Sequence, residues 1–354
     1  MNNIEKLQKE LPSIADCALI TSDINRRYFT GMKSSAGTLL VFENAAYLII
    51  DFRYIEKASA TVKSCEVILQ DKLYEQINRL MKKHNAELCA IEADNVSVSQ
   101  LSQLRKQLGC TVSAAGKLSA AITKLRIVKT KEEIRSIEQA QSIAEMGFEH
   151  ILNFIKVGRT EKEIQLELDY FMLKNGAEAL SFDTIALTGS STSMPHGVPS
   201  ERKVQSGDFV LLDYGAVVDG CHSDMTRTVA VGQPSDKMKE VYEIVLSAQK
   251  NAIDKVRAGM TGSAYDSLAR TLIKLKGFGE YFQHSLGHGV GLEIHEAPTG
   301  SPSNKGILPA GSVITCEPGV YIAGEFGVRI EDMLYLTDDG AINLTKAPKE
   351  LIVL

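Results

Sequence analysis

Three of the chain's seven histidines, His284, His288 and His295, fall in one glycine-rich stretch, HSLGHGVGLEIHE at 284–296. Imidazoles crowded by glycines suit a metal site, a nucleotide-binding loop or a buried turn, and the stretch alone does not choose among them. Acidic residues elsewhere narrow the choice. VLLDYGAVV (210–218) runs into Asp219-Gly220, a strong type I′ hairpin signal, and then into CHSDMTRTVAV (221–231). A two-residue turn there sets Asp213 opposite Thr226. Asp224, two residues from Thr226, then points to the same face as Asp213. Diagonal neighbours of this kind lie roughly 7–8 Å apart at Cα, close enough for two short carboxylates to converge on bound ions.

The hairpin recurs. SGDFVLLDYGA (206–216) aligns with AGSVITCEPGV (310–320), placing Gly207 on Gly311, Asp213 on Glu317 and Gly215 on Gly319. SDMT (223–226) meets IEDM (330–333), so Asp224 falls on Glu331. Upstream, VGRTEKEIQLELDYFMLKNG (157–176) aligns with AGMTGSAYDSLARTLIKLKG (258–277), and His196 in MPHG falls close to His295. Two half-domains of helix plus hairpin, related by an approximate two-fold, are expected. Taken singly, each acid reads as a strand-end surface residue. Their contexts (VLLDYG, VITCEPG, VRIEDMLYL) are apolar, however, and a buried unpaired carboxylate is costly or takes up a proton. Four such groups facing one another need protons or cations. Four carboxylates and an imidazole suit two divalent ions, Mn²⁺, Co²⁺ or Zn²⁺ rather than Mg²⁺. Two-metal sites hold their ions about 3.5–4 Å apart and generate a bridging hydroxide at neutral pH.

These residues need a scaffold. Residues 1–125 alternate strand-like runs (CALITS at 17–22, AGTLLVF at 36–42, AAYLIIDF at 45–52, ELCAIEA at 87–93) with polar helical stretches, an α/β pattern. Thr130 and Glu133 form a capping box, and apolar residues at 134, 137, 140, 144, 148, 151 and 155 share one helical face. A long helix therefore opens a second domain, 126–354, with the boundary near Lys124–Lys129. At 354 residues, 44% hydrophobic and 23% charged, the chain has room for two globular cores. A net charge of −5 gives no footprint for nucleic acid or for a membrane surface. Six scattered cysteines without a CxxC pair fit reduced thiols, and no signal-peptide core or membrane-length apolar run is present. A cytoplasmic protein is expected.

DYGAVVDGCHSDMTRT, SLGHGVGLEIHE, TCEPGVY and VRIED, in this order and spacing, closely resemble the pita-bread metallopeptidases, which include methionine aminopeptidase, Xaa-Pro aminopeptidase and Xaa-Pro dipeptidase. The division near residue 125 fits the two-domain Xaa-Pro branch, as do NRRYFTG (25–31) and DFRY (51–54). The resemblance thus implies a creatinase-like α/β domain followed by an α+β pita-bread domain. It implies a dinuclear site of Asp213, Asp224, His288, Glu317 and Glu331. In it Asp213 would chelate one ion, Asp224 and Glu331 would bridge both, and His288 and Glu317 would complete the ligand set of the second ion. Glu317 would also shuttle the proton of the attacking water, a hydroxide bridging the two ions. His196, His284 and His295 match histidines of the substrate cleft, and Arg329, Tyr321 and Thr226 match positions that hold the carboxylates and the reacting peptide. The implied substrates carry proline at the second position, the implied metal is Mn²⁺ with Co²⁺ or Zn²⁺ as alternatives, and the implied assembly is a homodimer. In that dimer Arg53 is a candidate contact. One departure stands out: an aromatic often follows the glycine of the aspartate motif, where this chain has Cys221.

Competing readings are weaker. GHGVG lacks the full GxGxxG spacing and a P-loop lysine. His295-Glu296 is not followed by the second histidine of HExxH. Cys221 and His222 are strand neighbours on opposite faces, so they form no dyad. Cys316 reads as a small core residue. A non-catalytic relative or a creatinase-type amidinohydrolase would replace the carboxylates that are retained here, and methionine aminopeptidase lacks the N-terminal domain.

Overall fold

Short apolar runs make the strands of the first unit, Met1–Arg126, in the computed structural model, which describes residues 1–354. Its single sheet has β1 (Cys17–Ile20), β2 (Thr38–Phe42), β3 (Ala45–Ile50), β4 (Glu66–Leu69), β5 (Leu88–Ile91) and β6 (Thr111–Ser113), in the order β4-β3-β2-β1-β5-β6. β1, β2 and β3 pair antiparallel, and the remaining pairs are parallel. The four strand-like runs in the sequence lie on β1, β2, β3 and β5. β4 and β6 are short, with exposed residues, and carry no alternating pattern. Arg53 is exposed and pairs with Asp51 at 2.6 Å.

The second unit, Ile127–Leu354, consists of two helix pairs, each followed by hairpins. Thr130 and Glu133 cap the helix Lys131–Phe154 reciprocally, and Ile137, Ala140, Ala144, Phe148 and Ile151 form its buried face. This helix packs on Glu161–Lys174, as Asp236–Lys255 packs on Gly262–Leu275. Glu161–Lys174 and Gly262–Leu275 are both 14 residues long, and each opens on a threonine, Thr160 or Thr261, whose side chain accepts a backbone N–H. The same two threonines bridge to Lys203 and Ile307, matching places in the two halves.

The strands of the first half are β7 (Ala179–Leu180), β8 (Ile185–Thr188), β9 (Phe209–Tyr214), β10 (Ala216–Val218), β11 (Cys221–His222) and β12 (Met225–Ala230). Those of the second half are β13 (Gly287–Gly289), β14 (Glu296–Gly300), β15 (Val313–Cys316), β16 (Gly319–Ile322), β17 (Phe326–Arg329), β18 (Asp332–Leu336) and β19 (Ala341–Asn343). One core joins Phe148, Leu168, Val210 and Leu212; the other joins Val245, Tyr265, Ile314 and Leu334. The fold is an α/β unit followed by an α+β unit with an internal repeat, as the sequence predicts. No helix is long and apolar enough to cross a membrane.

Candidate metal centre

β9 and β12 pair in the register that the turn demands. Asp213 faces Thr226, and Asp219 and Gly220 have φ of 50° and 80°, the left-handed values of a type I′ turn. The strands close up at Gly215, where a Cβ would lie 1.9 Å from the Ser223 carbonyl oxygen, so only glycine fits there beside Asp224. In the second half β15 and β18 pair Cys316 with Asp332, and one residue further on Glu317 and Glu331 reach the same end of the hairpin. The halves are joined where Glu331 N–H donates to Thr226 O at 3.1 Å; within the second half, Glu317 N–H donates to Leu286 O at 2.9 Å.

His288 enters from β13, its N–H donating to Thr315 Oγ1 at 3.1 Å. A Cβ on the preceding Gly287 would lie 2.0 Å from Thr315 O, which explains one glycine of the motif. His288 Nδ1 lies 3.1 Å from Gly289 O, an atom that can only accept, so Nδ1 carries the proton. Burial lowers the His288 pKa, the ring is neutral, and Nε2 keeps its lone pair. That nitrogen faces Asp224 Oδ2 at 3.5 Å and Glu317 Oε1 at 3.3 Å. A lone pair aimed at carboxyl oxygens requires a proton or a cation between them.

The acids confirm the need. Asp224 and Glu331 are 4% and 2% exposed, and burial first, then neighbouring carboxylates, raises both well above the usual range. Burial likewise pushes Glu317 up to about 8, against the pull of Arg329. Ligand atoms of Asp224, His288 and Glu331 lie within 4.8 Å of one another. Asp213 Oδ1 and Glu331 Oε1 are buried without a hydrogen-bond partner. Orphaned oxygens, a free imidazole lone pair and mutually repelling acids are what a divalent-cation site looks like before its cations are counted.

Behind the acids a polar chain fixes their orientation. Arg329 Nη2 donates to Asp213 Oδ2, its Nη1 to Tyr321 Oη at 2.7 Å and its Nε to Thr226 Oγ1 at 3.0 Å. Thr226 Oγ1 in turn donates to Glu331 Oε2 at 2.6 Å. His284 Nδ1 donates to Ser285 O at 2.9 Å, leaving Nε2 to accept from Tyr321 Oη at 3.2 Å. Burial, helped by Arg329, takes the His284 pKa down to about 4, so this ring is neutral as well.

All five candidate ligands line one cavity of about 570 Å³, together with His196, His284, His295, Tyr321 and Arg329. The His295 ring stands edge-on to His288 with centroids 4.3 Å apart. Thr226 lies behind the wall. Sequence reasoning missed the remaining lining, notably Phe182, Asp183, Ile185 and Ile294. Phe182 and Asp183 sit between β7 and β8, and neither spacing nor periodicity marks them. Cys221, where the aromatic was expected, packs with Val290, Val313 and Met333, and Cys316 is a core residue. His222 Nδ1 pairs with Ser181 Oγ at 2.8 Å.

Comparison with known proteins shows the family. Residues 135–338 match the model of metallopeptidase family M24, and residues 4–128 match the creatinase/prolidase N-terminal domain. A solved structure described as Xaa-Pro dipeptidase from Bacillus anthracis is 42% identical, covers 99% of each chain and superposes with a TM-score of 0.95. The Xaa-Pro dipeptidase of Pyrococcus furiosus is 40% identical over 99% of each chain. The X-Pro aminopeptidase of Thermotoga maritima is 36% identical, covering 96% of this chain and 98% of its own, with a TM-score of 0.90. The chain belongs to metallopeptidase family M24 and carries the N-terminal domain of creatinases and prolidases.

Proposed function

We propose that the protein hydrolyses the Xaa-Pro bond at the N-terminus of peptides or in dipeptides. The observation that carries this reading is the convergence of Asp213, Asp224, His288, Glu317 and Glu331 on one cavity, with two buried carboxylate oxygens left unpartnered. The similarity to peptidases named for Xaa-Pro substrates supports the bond specificity. We assign these five residues as ligands of two divalent ions. The four-carboxylate, one-imidazole donor set favours Mn²⁺, with Co²⁺ or Zn²⁺ as alternatives. The chemistry that such a pair supplies when bound is Lewis-acid polarisation of a carbonyl and activation of water at neutral pH.

The chain's own groups do the rest. Glu317 takes the proton of the attacking water on a carboxylate oxygen and carries it to the leaving nitrogen, which in proline has no N–H of its own. His295 donates a hydrogen bond to the developing oxyanion, and His196 contacts the scissile amide. Arg329, through Asp213, Thr226 and Tyr321, holds the acids and His284 in place. Phe182, Ile185 and Ile294 supply an apolar wall for the pyrrolidine ring. In this reading residues 126–354 carry catalysis, residues 1–125 form the prolidase-type domain, and the protein is a cytoplasmic homodimer.

The test is a substrate pair, Ala-Pro-Ala and Ala-Ala-Ala, with Mn²⁺-loaded protein. The proline peptide is expected to have the higher kcat/KM by about 10²-fold or more. Equal cleavage of both peptides contradicts the assignment.

A further inference from the structure

The reading above, on which this inference rests, gives His295 the developing oxyanion. A donor serves that purpose only if it is held to within about 0.5 Å of its productive place. Yet the segment that carries His295, residues 290–295, is irregular backbone between β13 and β14. No sheet ladder fixes it.

The anchor is the next residue, Glu296, whose Cα follows that of His295 at about 3.8 Å. Glu296 Oε1 accepts from Lys129 Nζ at 2.6 Å, and the Lys129 and Glu296 side chains are 2% and 7% exposed. Glu296 Oε2 accepts from Glu293 N–H at 3.3 Å, so the carboxylate sits inside the turn that it closes. Gly291 makes room for it: a Cβ there would lie 2.4 Å from Glu296 Oε1. Gly291 N–H donates to Glu293 O at 3.1 Å, and Gly291 O accepts from His222 N–H at 2.9 Å, which pins the start of the segment to the hairpin of Asp224. Lys129 is itself fixed within the second unit. Its Nζ donates to Ile127 O at 3.2 Å and its N–H to Gly311 O at 2.8 Å, two residues before β15.

A buried ion pair adds little stability over a well-packed apolar pair, whereas either charge left alone is costly. What the pair does supply is direction. It ties the turn under His295 to fixed backbone at Ile127 and Gly311, and it accounts for a glutamate beside His295 that has no HExxH partner. Neither Lys129 nor Glu296 lines the cavity.

We propose that the Lys129–Glu296 pair holds His295 at the oxyanion. Both are positioning residues that act through His295 and touch no substrate.

The experiment measures kcat and KM for Ala-Pro-Ala, and Mn²⁺ affinity by chelator competition, on the full-length protein. The variants are Glu296→Gln, His295→Ala and the two combined. Lys129→Met/Glu296→Gln, which leaves no buried charge unpaired, is carried through both backgrounds as well. His295→Ala should lower kcat by about 10²-fold or more. Either pair variant should lower it by about tenfold or more, with KM and Mn²⁺ affinity within about threefold of wild type. In the His295→Ala background the pair variants should cost less than about twofold further, because groups that act as one unit do not add. Undiminished kcat in both pair variants, a loss that multiplies with that of His295→Ala, or a fall in Mn²⁺ affinity as large as the fall in kcat overturns the inference and leaves the Xaa-Pro reading intact. So does failure of both pair variants to fold, which would mean that the pair holds the unit together and not the histidine. Wild-type protein that leaves Ala-Pro-Ala intact, or full activity in His295→Ala, overturns that reading of the site and the inference together.

Discussion

Asp224, Glu317 and Glu331 share one electrostatic problem: the first and last are buried and Glu317 nearly so, among acids that favour the protonated form. A carboxyl whose pKa is higher in the folded chain, as for Glu317 at about 8 against 4.5, stabilises the fold below 4.5 and loses that contribution as pH rises through about 8. His284, depressed from 6.5 to about 4, acts oppositely: its contribution is present above 6.5 and is lost as pH falls through about 4. Between 6.5 and about 8 the histidine contribution is complete while the carboxyl contribution is still draining away. The Tm of the metal-free protein should therefore fall as pH rises across this window, and Mn²⁺, by replacing the protons, should raise Tm more at its upper end. Calorimetry in EDTA and in Mn²⁺ reads both trends; a flat or rising metal-free Tm would contradict the shared-acid picture. Arg329 offers a second handle at this scale. Arg329→Lys keeps the charge but loses the fork that reaches Asp213, Tyr321 and Thr226 at once. Metal affinity, measured by chelator competition, should fall roughly 10–100-fold. Unchanged affinity would mean that Arg329 does not orient the ligands.

Hairpins deliver these residues, and the hairpins were legible. The Asp219-Gly220 turn was enough to set Asp213 across from Thr226, because a two-residue turn leaves one register. The matching acids of the second half were found through the repeat, although there Glu317 and Glu331 stand across from one another while Asp213 and Asp224 are diagonal neighbours. Loops were not legible in the same way. Phe182, Asp183 and Ile294 line the cavity from irregular segments, where no period constrains the side-chain direction. β4 and β6 are not legible because edge strands of four and three residues, partly exposed, carry too little alternation. The glycines around His288 are where sequence and geometry agree most tightly. Gly287→Ala would drive a methyl group against Thr315 O, so β13 must shift and carry His288 with it. Urea denaturation should show a loss of about 1–3 kcal/mol, accompanied by weaker metal binding. A variant with wild-type stability and wild-type affinity would mean that β13 is not held where it stands.

Across the whole molecule, the division of labour is also legible in the sequence. An α/β pattern gives way near a capping box at Thr130 to a second unit whose halves repeat helix, helix and hairpin. The repeat sets the two hairpins facing one another and so gathers four separately unremarkable acids and one histidine into a single centre; the walls around it come from irregular segments that no composition or period marks. That centre is the central claim, and counting metal against turnover tests it most directly. Protein stripped of metal should leave Ala-Pro-Ala intact, and activity should rise on titration with Mn²⁺ until two equivalents per chain are bound. The Asp224→Asn variant, assayed in parallel, should lose more activity than the roughly 10–100-fold expected of an outer-shell change. Hydrolysis by the stripped protein, or full activity in Asp224→Asn, would contradict the assignment of these residues as a two-metal catalytic site.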